Sequence, residues 1–421
     1  MSEVTPRVLL SAYQCGPGMG SVSQIGWHWY FRLARRLPVT LVTHVRNRDA
    51  LAAAGAPLPG SEVVYIDTEW FAGPLYRLAA RLFGRSQHAV FLVSSADFYV
   101  YDAAALKELR RRRAAGADWD IVHAVTPVSP MAATRLHKLG RPVVLGPWNG
   151  GLGNPAHFPD IMRADAAWVY PVRKLGRLVD ALAGSSRRAA AILTATRATA
   201  DSIAPRHRAR CVSMLENGVD LEVFSPGSWP EPPGPTRPLR LAYVGRFVPA
   251  KGIAMLLDAV ARVEDELPVL LTLVGDGPLE PELRAEVRAH DLVERVSFTG
   301  ALPPPEVAAR IREAHLFCLP SVRESGGAVL LEAMACARPV VAVAFGGPAE
   351  VVDDGVGRAL PDTGREAVVG GLVEVFRDVV AHPDAWRARG EEGLRRARER
   401  YGWEAKVDAA VALYRRLLAN G

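Results

Sequence analysis

A chain of 421 residues with 49% hydrophobic content is longer than one core usually serves, so two domains are expected. No charged-then-apolar leader follows Met1 and no apolar stretch approaches the ~18 residues of a membrane span. Secreted and membrane-spanning classes are therefore set aside, and a cytoplasmic protein is expected. The net charge of +6 fits an anionic partner such as nucleic acid, a membrane surface or a phosphorylated ligand, and equally a coding bias toward Arg, Ala and Pro.

In chain order, the first half is a series of short β-branched runs between helical segments: RVLLSAY, VTLVTH, EVVYID, DIVHAV, RPVVLGP, AILTAT and CVSMLENG. Apolar strands alternating with amphipathic helices predict a parallel sheet covered on both faces. The loop after the first run, Gln14 to Ser21, carries Gly16, Gly18 and Gly20 before a helix that starts near Gln24. Glycines there let backbone N–H groups approach an anionic or hydroxylated ligand closely. Their spacing lacks the GxGxxG order, so the loop is no dinucleotide fingerprint. Further on, Leu75, Leu78 and Leu82 share one helical face and Arg77, Arg81 and Arg85 another, with Trp70 and Phe71 just before and a basic ELRRRR ending at Arg113. Two readings stay open: a helix that packs its leucines on the sheet, or an interfacial helix on an anionic bilayer. His123 ends the fourth run, where it is either a ligand-facing group or a satisfied core residue. The run Gly146 to Gly151, with Trp148, Asn149 and Gly150, follows the fifth.

Phe224 to Pro238 reads FSPGSWPEPPGPTRP, and its six prolines predict a stiff linker. The alternation restarts with LRLAYVG, VLLTLVG, VSFTG, LFCLP and PVVAVAFG, predicting a second sheet of the same kind. Ligands of such sheets bind outside the carboxyl ends of the strands, so a cleft between two such ends is expected. Arg246 and Lys251 project from one of those ends across a loop bounded by Gly245 and Gly252. A guanidinium and an ammonium there can neutralise a diphosphate. Gly275, Asp276 and Gly277 read as a structural turn. Between Ser321 and Val343 the chain is SVRESGGAVLLEAMACARPVVAV: Glu324 stands in a Ser-Gly-Gly turn and Glu332 one turn inside an apolar helix. An ionised carboxylate in such a place accepts hydrogen bonds from polyol hydroxyls, and the glycines and helix start favour an anion beside it. The four cysteines, Cys15, Cys211, Cys318 and Cys336, have no metal-ligand or CxxC spacing, and Cys318 and Cys336 read as core residues in a reducing compartment. Helical periodicity from Trp403 to Leu418 closes the chain.

This pattern resembles the retaining glycosyltransferases of family 4, the glycosyl transferases group 1. The likeness is carried by LFCLPS, the two glutamates separated by seven residues, EAMA and PVVAV; by AYVGRFVPAKG, LVGDGP and VSFTG; and by ENGVD and YGWEAKVDAAVALYRRLL. It is dense from about residue 211 to the end. It implies an α/β protein of two doubly wound, parallel-sheet, Rossmann-like domains facing a cleft, the GT-B fold. The implied division is an acceptor-side domain over 1–223, a linker over 224–238, a nucleotide-sugar domain over 239–400 and a helix over 401–421 that crosses back. By the same resemblance, Arg246 and Lys251, beside Gly245, neutralise the diphosphate and Glu332 holds the ribose hydroxyls. Glu324 and Ser325, with the backbone of Gly326, Gly327 and Ala328, hold the donor sugar. His123 faces that sugar from the opposite wall and joins Glu324, Arg246 and Lys251 in the catalytic set. Gly16, Gly18, Gly20 and Ser21 receive diphosphate and acceptor, and Trp148, Asn149 and Gly150 line the acceptor side.

The partners so implied are a nucleotide-diphosphate sugar and a hydroxyl acceptor, with no nucleic acid, no metal and no further cofactor, and with peripheral contact to an anionic membrane as the interfacial reading of the leucine–arginine helix. The chain departs from the pattern twice. Related sequences carry Gly-Ser-Glu-Pro where this one has Gly20-Ser21-Val22-Ser23, and many carry Gly-Phe-Gly where it has Ser325-Gly326-Gly327. No second carboxylate pair at glycosidase spacing stands out. The mechanism implied is same-face attack with Arg246 and Lys251 stabilising the leaving charge. The competing classes are a sugar-nucleotide epimerase or phosphorylase on the same fold, and a non-enzymatic basic binding protein. The last is opposed by the lack of clustered aromatics or any nucleic-acid recognition signature.

Overall fold

The computed structural model describes residues 5–83, 96–164 and 179–420. Two parallel sheets organise them. The first runs β3-β2-β1-β4-β5-β6-β7, from β1 (Val8–Ala12), β2 (Val39–His44), β3 (Ser61–Ile66), β4 (Ile121–Thr126), β5 (Val143–Trp148), β6 (Ala191–Thr194) and β7 (Cys211–Ser213). The second runs β10-β9-β8-β11-β12-β13, from β8 (Leu239–Val244), β9 (Val269–Val274), β10 (Val296–Gly300), β11 (Leu316–Leu319), β12 (Val340–Val343) and β13 (Gly357–Leu360). Every pairing is parallel, with Leu9 opposite Thr40 and Val122, and Leu241 opposite Leu271 and Leu316. The central strands read as unbroken apolar runs because helices cover both of their faces. All of β1, β11 and β12 is buried. Each fully buried Val or Leu in them contributes on the order of 2 kcal/mol.

In both sheets the first strand is interior and the strand order reverses beside it, between β1 and β4 and between β8 and β11. Those two reversals are where a doubly wound sheet opens a crevice at the strands' carboxyl ends. The glycine-bearing loops follow β1, β8 and β11, so the topology puts them at the mouths of the crevices.

Six helices matter below: α1 (Ser21–Ala34), α2 (Glu69–Phe83), α3 (Asp97–Ala114), α4 (Ile253–Val263), α5 (Ala328–Ala335) and α6 (Trp403–Ala419). The chain divides into two compact units. One holds the residues up to Gly151, the stretch ending at Glu216 and everything from Lys406; the other holds a stretch beginning at Leu152 together with Asn217–Ala405.

The proline-rich stretch is no free spacer. It belongs to the second unit and is strapped to it by Arg338, a buried guanidinium that donates to the carbonyls of Ser228 (2.7 Å) and Arg312 (2.5 Å) and lies 5.2 Å from the Trp229 ring. His315 adds a bond from its Nε2 to the Glu231 carbonyl, 2.8 Å. The stretch beginning at Leu152 also joins the second unit, although it leaves from the end of β5. His157 Nδ1 donates to the Asp362 carbonyl (3.1 Å), and the helical turn Pro159–Ala164 lies against the Pro249–Lys251 turn.

Candidate functional site

The loop after β8 is built on close backbone approach. A Cβ on Gly275 would lie 2.0 Å from the Gly245 carbonyl oxygen, and one on Gly277 would lie 2.4 Å from that of Phe247. The Gly-Asp-Gly turn can therefore dock directly on the Gly245–Phe247 segment, sealed by the Phe247 N–H donating to the Asp276 carbonyl at 2.6 Å. That turn is structural, as its sequence reads. Arg246 is thereby held exposed at the strand end, with no ion pair to its guanidinium among the described residues.

Lys251 is positioned by Gly252. The latter has φ of 65°, and a Cβ there would lie 2.2 Å from the Pro320 carbonyl oxygen. Only glycine lets the start of α4 press so closely on the end of β11. The Val322 N–H then donates to the Ala250 carbonyl at 3.0 Å, and the Lys251 ammonium reaches the Glu324 carboxylate as a hydrogen-bonded ion pair. Both side chains are largely shielded from solvent, so the pair is worth more than one at the surface.

Glu324 is locked through its backbone as well. It forms a parallel bridge with Gly346, and its carbonyl accepts from the Gly347 N–H at 3.1 Å. A Cβ on Gly346 would sit 2.0 Å from the Glu324 carbonyl oxygen and one on Gly347 2.4 Å from that of Ser325. Gly327, left-handed at φ 60°, then starts α5 with no side-chain cap. The Leu330 N–H is taken by the Gly327 carbonyl at 2.9 Å, which leaves the N–H groups of half-buried Ala328 and Val329 to a ligand beside Ser325. One turn on, Glu332 keeps part of its surface open, yet enough protein surrounds its carboxyl that burial pushes it up to about 7. It has no side-chain hydrogen bond among the described residues. A shielded carboxylate left without a partner marks a place where a ligand donates.

In the first unit, the loop after β1 holds Gly18 at φ 73° and Gly20 at φ 100°, both exposed, with Ser21 exposed at the uncapped start of α1. Gly16 is buried and its N–H donates to the Ser23 carbonyl, 3.0 Å. The sequence reading missed Gly26, where a Cβ would lie 2.2 Å from the Gln14 carbonyl oxygen; its absence lets α1 press on the loop.

Three expectations for this unit need correction. His123 does not face a ligand. It is fully buried, with Nε2 donating to the Gly146 carbonyl (2.7 Å) and Nδ1 left to accept from the Tyr414 hydroxyl (2.6 Å). Burial pushes it down to about 4, so it stays neutral and serves to seat α6 on β4. Trp148 is likewise a core residue, because the register of β5 turns it inward among Leu145, Ile192 and Ile203. Gly150 exchanges two bonds with the Thr199 hydroxyl, at 3.1 and 2.8 Å, and is structural.

Asn149 donates to buried Glu216 at 2.5 Å, while its own Oδ1 has no partner among the described residues. Beside them Lys406 is buried with its ammonium on the Leu215 carbonyl, and burial pushes it down to about 7 against the pull of Glu216. A second polar set joins Tyr13 to Asp97 at 2.5 Å, Asp97 to Arg46 at 3.3 Å and Arg46 to Glu69. Neither set was foreseen; each gathers residues from separated segments with no spacing to reveal it.

The chain matches two family models, "Glycosyltransferase Family 4" over residues 60–223 and "Glycosyl transferases group 1" over residues 230–392. It belongs to the family-4 glycosyltransferases. Every residue discussed above for the second unit, from Gly245 to Gly347, falls within the group 1 match of this glycosyltransferase. Among curated relatives it is 34% identical over 219 residues to the D-inositol 3-phosphate glycosyltransferase of Kribbella flavida, covering 48% of this chain and 50% of that one. It is 33% identical over 231 residues to the alpha-maltose-1-phosphate synthase of Mycolicibacterium smegmatis, covering 49% and 57%. The chain thus spans about half the length of the curated relatives it matches. Among solved structures, a sucrose-phosphate synthase from Thermosynechococcus elongatus superposes with a TM-score of 0.63 at 18% identity over 99% of this chain and 100% of that one. Anabaena HepE in complex with UDP and glucose gives 0.58 at 16% over 99% and 98%. At such identities these structures establish the GT-B fold alone.

Proposed function

We propose that this glycosyltransferase moves a sugar from a nucleotide-diphosphate sugar to an acceptor hydroxyl with retention at the anomeric carbon. The observation that carries the reading is the meeting of Lys251 and Glu324 at the second sheet's reversal, beside exposed Arg246 and the uncapped glycine start of α5. Lys251 and Arg246 supply positive charge to a diphosphate, and Glu324, ion-paired to Lys251, turns to the sugar hydroxyls as the diphosphate takes its place. The name of the Kribbella relative, a glycosyltransferase, supports transfer of a sugar.

In the reaction the bond from the anomeric carbon to the phosphate oxygen breaks, and that oxygen gains charge. Arg246 and Lys251 stabilise it, each worth roughly 10²- to 10³-fold in rate. The departing phosphate oxygen accepts the proton of the acceptor hydroxyl as the glycosidic bond forms on the same face. Glu324, held by its backbone, accepts hydrogen bonds from the sugar hydroxyls, and Glu332 from those of the ribose. The exposed glycine loop of the first unit, with Ser21, takes acceptor hydroxyls.

The test is incubation with a panel of labelled nucleotide-sugars without acceptor, in excess EDTA. Slow release of free sugar and nucleoside diphosphate from one donor is expected. No turnover of any donor, recovery of an epimerised donor, or strict dependence on a divalent ion would each contradict the reading.

A further inference from the structure

Helix α2 turns its large apolar side chains the wrong way for a globular protein. It meets the protein through its small residues, Ala72 and Ala79, which are buried. Trp70 is 72% exposed, Leu78 54% and Leu82 63%, and Tyr76 is also exposed. Of the two readings open from the sequence, leucines packed on the sheet is therefore excluded for Leu78 and Leu82.

At 100° per residue, Arg77, Trp70, Arg81, Pro74, Leu78 and Leu82 follow one another around a single outward arc. Arg77 and Arg81 are exposed and have no ion pair among the described residues. Most of the later basic cluster is engaged within the protein, exposed Arg110 being the exception among its described residues. Arg111 and Arg112 pair with Glu108, and Arg113 caps the Leu139 carbonyl. Arg85, the third arginine of the sequence pattern, lies outside the described residues.

We propose that this outward face of α2 docks on an anionic lipid surface, inserting Trp70, Leu78 and Leu82 among the acyl chains while Arg77 and Arg81 meet the headgroup phosphates. Charge complementarity selects that occupant. An apolar stripe alone would suit any hydrophobic partner, but two unpaired arginines interleaved with it carry positive charge to the level at which phosphates lie on a bilayer. Among the described residues no helix is long and apolar enough to cross a membrane, so the contact is peripheral. The inference rests on the surface of α2 and is independent of the donor chemistry.

The test is co-sedimentation of the full chain with vesicles of equal parts phosphatidylglycerol and phosphatidylcholine, and with pure phosphatidylcholine, at low and high salt. The variants are L78E/L82E and R77A/R81A. All four positions are exposed, so the thermal midpoints should match the wild type and show that both variants fold. Expected are binding to anionic vesicles that weakens with salt, a loss of at least about 10-fold in L78E/L82E, and about 5-fold per arginine removed. No binding at low salt, equal binding to neutral vesicles, or binding untouched in both variants would overturn the proposal. So would a dimer in sedimentation equilibrium that L78E/L82E breaks, since the face would then belong to a second copy of the chain.

Discussion

The loop after β1 and the pair of loops after β8 and β11 occupy equivalent places, each at the reversal of a parallel sheet, and differ in one respect. Both are shaped by glycines at positive φ, exposed Gly18 and Gly20 in the first, buried Gly252 and Gly327 in the second. The second brings Arg246, Lys251, Glu324 and Glu332 to its loops, whereas the charges at the start of the first loop, Asp97, Arg46 and Glu69, are tied to one another and to Tyr13. Further along that loop the polar groups are neutral: Gln14, whose N–H and carbonyl both bond the Thr126 hydroxyl at 3.0 and 2.8 Å, and Ser21. On the reading proposed above, the same topology yields a place for a charged leaving group in one unit and a place for hydroxyls in the other. What separates them is the side chains delivered to the crevice.

The sharpest way to break this contrast is to remove the charge. Arg246→Ala and Lys251→Ala should each lower turnover by roughly 10² to 10³, measured with the best donor at saturation. Arg246→Ala should leave the thermal midpoint unchanged because the residue is exposed. Wild-type turnover in either variant would dissolve the distinction between the two loops.

A second test addresses the close approach that delivers Lys251. Gly252→Ala forces a Cβ against the Pro320 carbonyl at φ 65° and should destabilise the second unit by about 2 kcal/mol or more, read by denaturant unfolding. By contrast Gly18→Ala meets nothing within 4 Å and should cost only about 1 kcal/mol for its positive φ.

His123 tests the border between site and core. Its folded pKa, about 4, lies below the ordinary 6.5, so its contribution to stability is complete above 6.5 and is lost as pH falls through 4. His123→Phe should remove that acid sensitivity while leaving the donor KM unchanged. A large rise in donor KM, with folding intact, would return His123 to the site.

Glu332 runs in the opposite sense. Its carboxyl is raised from 4.5 to about 7, so its favourable contribution is complete below 4.5 and is lost as pH rises through 7. Across that window the wild type should lose on the order of 3 kcal/mol relative to Glu332→Gln, with the variant's donor KM roughly 10-fold higher for want of a charged acceptor. The smallest effect is expected at Ser21→Ala, with less than roughly 10-fold on acceptor KM for the loss of one neutral hydrogen bond.

Much of the candidate site in the second unit was legible because it is local. Gly245 to Gly252 and Ser321 to Glu332 are continuous stretches whose glycines, charges and apolar runs report strand, loop and helix in order. What the first unit does with His123 and Trp148 was not legible. A residue at a strand's carboxyl end can point to a ligand or to a neighbour, and here Tyr414, 291 residues away, and the core around Ile192 decide the matter. The stretch after Leu152 joins the second unit for the same kind of reason: its partners, Asp362 and the Pro249–Lys251 turn, lie far along the chain.

The sequence by itself determined the two parallel sheets, the glycine loops at their strand ends and the family, since period, composition and short motifs are properties of neighbours along the chain. Tertiary structure alone decided that Lys251 meets Glu324 across 73 residues, that Glu332 is shielded enough to be raised to about 7, and that α2 faces its leucines outward. A helical pattern reveals that an apolar face exists, whereas which face is buried depends on what the rest of the chain places against it.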